Sequence, residues 1–262
     1  MKARFRKMAR LGHVSQALLR TPKAFFCARD YLFVIGHMRS YSSLLCHILG
    51  SHPEISGYSE MHQHYYNAVD LAQLRHRVYL ANDKQLKGRF VLDKLVDGHK
   101  IAGNVLRRPD VHCLFLIRNA EDTLKSIVHM GKTMIDYGWY QDIAQVAAYY
   151  AKQLEKIQCY AKQTIGTAVF LEAERIVETP SQTLTALTEV LGLTEPLRED
   201  YSIFAQTGVP GHCDPSDNIK TGKVVPGRQT HEEILIPAPL KEQAEEAYWK
   251  CVTALRRCCT CI

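Results

Sequence analysis

Residues 31–50 read YLFVIGHMRSYSSLLCHILG, and they decide the fold. Tyr31-Leu32-Phe33-Val34-Ile35 is an apolar run rich in β-branched and aromatic residues, which predicts a buried strand. Gly36 breaks the run, and a short polar loop follows, His37-Met38-Arg39-Ser40-Tyr41-Ser42-Ser43. Leu44, Leu45, Ile48 and Leu49 then recur at helical spacing, so the loop feeds the N-terminus of an amphipathic helix. A strand, a short loop and a helix start together present backbone N–H groups and a positive helix end to an anion. Arg39 adds a fixed cation, and Ser40, Ser42 and Ser43 add hydroxyl donors.

Outward from this stretch, apolar strands and amphipathic helices alternate. Strands are expected at Arg89–Asp93 (RFVLD), Val111–Ile117 (VHCLFLI) and Thr167–Leu171 (TAVFL), with a short extended segment at Ile55–Glu60. Helices are expected over 66–87, from Asp97 or Gly98 to Arg107, over 120–130, 142–162, 181–191 and from about 239 to 257. Residues 198–229 read as loop. The alternation predicts a single α/β domain with a central parallel sheet flanked by helices. Its core is expected at about 30–230, between a basic leading segment (1–29) and a C-terminal helix with a Cys-rich tail (237–262).

Composition sets bounds on function. The 262 residues carry a net charge of +6, with 46% hydrophobic and 23% charged residues, which suits a globular domain with a polyanionic ligand and equally a weak association with nucleic acid or a membrane surface. No nucleic-acid-binding motif is present, so nucleic acid is not an expected partner. Met1–Arg20 lacks the apolar core of a signal peptide, and no stretch reaches the length of a membrane span. Nine cysteines, odd in number and mostly inside apolar runs, point to free thiols and a reducing, cytoplasmic setting. The final Cys259-Thr260-Cys261-Ile262 has a C-a-a-X outline with poor aliphatic positions, and reads as an exposed, oxidisable tail rather than a prenylation signal.

The first loop is not a nucleoside-triphosphate loop, because G-x-x-x-x-G-K-[ST] would need Gly at Tyr41 and Lys at Ser42. Its pattern, Gly36-x-x-Arg39-Ser40-x-Ser42-Ser43-Leu44-Leu45, instead resembles the 5′-phosphosulfate loop of sulfotransferases that use PAPS (3′-phosphoadenosine-5′-phosphosulfate). Gly is usual in that family where this chain has Tyr41. A second stretch, Arg118-Asn119-Ala120-Glu121-Asp122-Thr123-Leu124-Lys125-Ser126, is similar to the family's 3′-phosphate motif R-x-P-x-D-x-x-x-S, with Ala120 in place of Pro. Residues 170–193 look like its Y-E-D-L…L-G-L block, and residues 214–224 like the late loop that folds over the nucleotide.

What the resemblance implies is a donor site and a reaction. Gly36, His37, Arg39, Ser40, Tyr41, Ser42 and Ser43 would hold the 5′-phosphosulfate, and Arg118 and Ser126 the 3′-phosphate. Asp122 would cap or orient. Lys220, Lys223 and Arg228 would add charge from the late loop. The reaction would be in-line sulfuryl transfer from PAPS, releasing adenosine 3′,5′-bisphosphate, with Arg39 stabilising charge on the leaving group. Glu60 is the first candidate for the base and His62 the next. Asp93-Lys94 matches a D/E-K feature of other relatives, in which the carboxylate acts as base and the Lys steadies the sulfuryl group. No metal is required, and no ligand spacing suggests one. The expected acceptor is a hydroxyl or amine of a small polar metabolite or carbohydrate. A P-loop kinase and a non-catalytic nucleotide-binding relative are the alternative readings.

Overall fold

A computed structural model describes residues 29–82, 85–86, 88–133, 138–209, 213–228 and 230–262. The basic segment expected at 1–29 lies outside the described residues except for Arg29. Its first element is β1 (Asp30–Ile35), followed by the site loop and α1 (Ser42–Ser51). The chain continues through β2 (Ile55–Ser56), α2 (Ala68–Ala81), β3 (Phe90–Leu95), α3 (Gly103–Leu106) and β4 (Val111–Ile117). Then come α4 (Ala120–Thr133), α5 (Ile143–Ala161), β5 (Ala168–Glu172), α6 (Arg175–Glu178), α7 (Pro180–Leu191), α8 (Ala238–Cys258) and β6 (Thr260–Cys261).

The six strands form one sheet in the order β2-β3-β1-β4-β5-β6, and every pairing is parallel. Parallel strands need both faces covered, and the alternation along β1 supplies two cores. Tyr31, Phe33 and Ile35 pack toward the apolar sides of α4, α5 and α8, and Leu32 and Val34 toward α1 and α7. After β3 the chain returns to the opposite side of β1. That reversal opens a crevice beyond the carboxyl ends of β1 and β4, the place where open α/β sheets bind ligands.

Three expectations change. The strand expected to end at Asp93 runs on to Leu95, which puts Lys94 inside the sheet. The helix expected from Asp97 or Gly98 to Arg107 shrinks to the single turn of α3. Its lead-in is extended because Tyr65 N–H donates to Lys100 O at 2.8 Å and Ala102 N–H to Tyr65 O at 2.7 Å. The tail expected to hang in solvent is instead β6, paired with the edge of β5, where Ile262 N–H donates to Phe170 O at 3.0 Å. Cys258 and Cys261 are nonetheless exposed, and all described cysteines are free thiols. Among the described residues no helix is long and apolar enough to cross a membrane.

Candidate active site

The loop after β1 is tight for reasons legible in its atoms. A Cβ on Gly36 would meet Leu116 O at 2.8 Å and Ser40 Oγ at 2.9 Å, so only glycine lets β1 pass β4 this closely. Arg39 (φ 63°) and Tyr41 (φ 56°) both adopt the left-handed conformation, uncommon away from glycine and concentrated at functional sites. Ser40 Oγ donates to His37 O at 2.7 Å and closes the turn. Helix α1 then begins at Ser42 with no side-chain cap and no acidic residue in its first turn. Its first amides therefore point into the crevice with the positive end of the helix.

His37 braces the loop from behind. Its Nδ1–H donates to Met38 O at 2.8 Å, and its Nε2 accepts the Arg118 N–H at 3.0 Å. Full burial pushes the imidazole down to about 4, so it stands neutral at ordinary pH. The ring is thereby committed to the framework, and only its backbone is left to serve an anion.

The two motifs meet across the crevice. Arg118, 2% exposed, lays its guanidinium 4.6 Å from the Tyr41 ring centroid and donates from Nη1 to Arg39 O at 3.2 Å. Tyr41 thus holds a backbone conformation that favours glycine and adds a cation–π shelf. Arg39 Nε donates to Ser126 Oγ at 2.9 Å, tying the first loop to the second motif, and Arg39 Nη1 donates to Asp214 Oδ1 at 2.7 Å. Asn119 Oδ1 accepts the Asp122 N–H and Asn119 Nδ2 donates to Asp122 Oδ2, both at 2.9 Å, so Asn119 and not Asp122 caps α4, while Asp122 Oδ2, 3.5 Å from Arg118 Nη2, orients the Arg.

On the other side of the loop is a cavity of about 470 Å³, with Ser43, Glu60, Lys94, His99 and Trp139 among its lining residues. Lys94 Nζ donates to Ser43 Oγ at 3.0 Å and stands 3.5 Å from Glu60 Oε1, while His62 Nδ1 is 3.6 Å from Glu60 Oε2. Burial raises the Glu60 carboxyl above the ordinary carboxylate range, with the Lys94 charge opposing the shift. Asp93 is placed differently. Alternation along β3 turns it to the opposite face from Lys94, where it accepts from Met61 N–H and Lys94 N–H at 2.8 Å each and from the Tyr65 hydroxyl at 2.5 Å. Burial drives its carboxyl up to about 7. Asp93 is absent from the cavity wall, so it anchors the Glu60 loop through Met61 rather than facing an acceptor.

The late-loop cations separate. Lys223 lines a narrow cleft together with Tyr41, Arg118 and Asp214. Arg228 lines a third cavity beside His129 and His231 and is ion-paired with Glu178. Lys220 lines none of the three cavities and is paired with Asp217 at 2.9 Å. Two groups, Glu60-His62-His99 and His129-His231-Glu233, bring three potential metal ligands within 4.8 Å of one another. Asp214 opens the late loop, and the sequence holds no signal for its role. No local pattern marks a carboxylate that meets its partner 175 residues away.

Two solved structures share this architecture. The sulfotransferase domain of the Synechococcus PCC 7002 olefin synthase superposes with a TM-score of 0.54 at 15% identity, covering 85% of this chain and 94% of that one. The sulfotransferase domain from the curacin biosynthetic pathway gives 0.53 at 16% identity, covering 86% and 97%. The chain has the sulfotransferase fold. No family model and no curated protein sequence matches it. Within this sulfotransferase fold the crevice at β1 and β4 falls between the two arginine loops, and the Glu60–Lys94 cavity opens beside it.

Proposed function

We propose that the protein is a PAPS-dependent sulfotransferase acting on a hydroxyl or amine of a small polar metabolite or carbohydrate. The observation that carries the reading is the convergence of Arg39, Arg118, Ser126 and the uncapped start of α1 on one crevice, beside a buried Lys94–Glu60 pair. In the reaction the acceptor oxygen or nitrogen forms a bond to sulfur while the bond from sulfur to the bridging phosphate oxygen breaks. Adenosine 3′,5′-bisphosphate leaves. Arg39 and the α1 amides offset the charge that grows on its 5′-phosphate, and Arg118 with Ser126 holds the 3′-phosphate.

Lys94 sits between Ser43 and Glu60, a position suited to steadying the sulfuryl oxygens during transfer. Glu60 takes the acceptor's proton. A base with a raised pKa is better matched to that task near neutral pH than an ordinary carboxylate. The cavity volume of about 470 Å³ suits a small molecule. Its wall mixes Trp139 and Tyr140 with Asp97, His62 and His99, chemistry that fits a polar or sugar-like acceptor.

The test is turnover with ³⁵S-labelled PAPS against a panel of sugars, phenols and amino alcohols, following labelled product and free adenosine 3′,5′-bisphosphate in equal amounts. Acceptor-dependent label transfer that disappears in Glu60→Gln and Arg118→Ala is expected. Label that stays on PAPS with every acceptor contradicts the assignment.

A further inference from the structure

Asp214 stands where the donor loop and the acceptor cavity meet, lining both that cavity and the narrow cleft with Arg118 and Lys223. Its carboxylate accepts from Arg39 Nη1 at 2.7 Å and from the Ser216 N–H at 3.0 Å. Its own N–H donates to Ser43 Oγ at 3.0 Å. One residue therefore engages both the cation and a hydroxyl of the loop that the donor reading gives to the 5′-phosphosulfate. A carboxylate on an arginine offers the same kind of charged acceptor oxygens as a phosphate. Burial alone would raise its pKa, yet the Arg39 charge and the Ser216 bonds outweigh burial and hold it below the usual carboxylate range. The group is thus an anion at neutral pH, seated against the Arg39 guanidinium.

A phosphate that takes Arg39 must displace this carboxylate or share the guanidinium with it against like-charge repulsion. We infer that Asp214 is an internal counter-anion of the donor site, which competes with the incoming anion for Arg39 and thereby sets donor affinity. This rests on reading the crevice as a site for a nucleotide sulfate donor. Apparent affinity falls in proportion to the fraction of molecules whose Arg39 is available, so releasing the carboxylate strengthens binding.

The test is calorimetric titration of adenosine 3′,5′-bisphosphate into the wild type, Asp214→Asn, Asp214→Ser, Arg39→Ala and the Arg39→Ala/Asp214→Asn double variant. Both Asp214 variants should bind about tenfold more tightly than wild type, the scale of one charge-assisted hydrogen bond. That gain should vanish in the Arg39→Ala background. Equal or weaker binding by both Asp214 variants, or a gain that survives without Arg39, overturns the inference while leaving the donor reading intact. Absence of binding to every form, wild type included, removes the donor reading itself and the inference with it.

Discussion

Lys94 Nζ lies 3.5 Å from Glu60 Oε1, both side chains almost wholly buried, on the wall of the cavity beside the loop that follows β1. The same Nζ donates to Ser43 Oγ at 3.0 Å, so one ammonium links the loop to the proposed base. Burial raises the Glu60 carboxyl and Lys94 restrains the rise, which makes the pair a device for setting when the base is ionised.

The base must be deprotonated to act, so activity should rise with pH through the raised Glu60 pKa, above the ordinary carboxylate range. Glu60→Gln should lower kcat by about 10²-fold or more and abolish that acid limb, leaving donor affinity near wild type. Lys94→Met removes the charge opposing the shift, and should move the limb of the residual activity to higher pH. Rate profiles across pH check both; an unchanged limb in Lys94→Met would break the proposed coupling.

Tyr41 holds a left-handed backbone and gives Arg118 its aromatic shelf. Tyr41→Ala loses the ring and keeps the strained backbone, whereas Tyr41→Gly loses the ring and relieves it. The Gly variant should therefore be more stable than the Ala variant by about 1 kcal/mol, read from denaturant midpoints. Equal midpoints would mean that the loop relaxes out of this conformation.

Asp93 titrates near 7 in the fold, against roughly 4 in an unfolded chain. A raised folded pKa stabilises the protein below the unfolded value, and that stability is lost as pH rises through the folded one. Asp93→Asn, which cannot ionise, should gain on the wild type as pH increases from about 4 to about 7. Unfolding midpoints of both forms across that range are the measurement. A difference that stays constant with pH would show that Asp93 titrates normally.

The closing strand β6 makes a different demand. Deleting residues 260–262 removes the parallel pairing with Val169 and Phe170 and leaves the β5 edge unpaired. A loss of about 1–2 kcal/mol in unfolding free energy is expected from the missing backbone hydrogen bonds. An unaffected midpoint would mean that the strand contributes nothing to the fold.

The strand–loop–helix start was legible because period, glycine and polar loop fall within twenty residues, all in one local unit. Arg118 was legible because it directly follows the apolar run 111–117, and Asp122 and Ser126 because residues four apart share one helix face. What escaped was set by distant contacts. The turn at α3 is short because Tyr65 captures residues 100–102. The tail becomes a strand because β5 offers it an edge. Asp93 and Lys94, adjacent in sequence, face opposite sides of the sheet, and only strand register shows which one meets the cavity.

The most direct test of the central claim is the thermal unfolding midpoint with adenosine 3′,5′-bisphosphate, with ATP and magnesium as control. Bisphosphate at a hundred times its Kd should add about 2.7 kcal/mol of stability to the wild type. Arg118→Ala should lose most of that gain. A rise with the bisphosphate alone, abolished in Arg118→Ala, is what a PAPS-dependent sulfotransferase predicts. A rise only with ATP and magnesium, or none with either nucleotide, would contradict it.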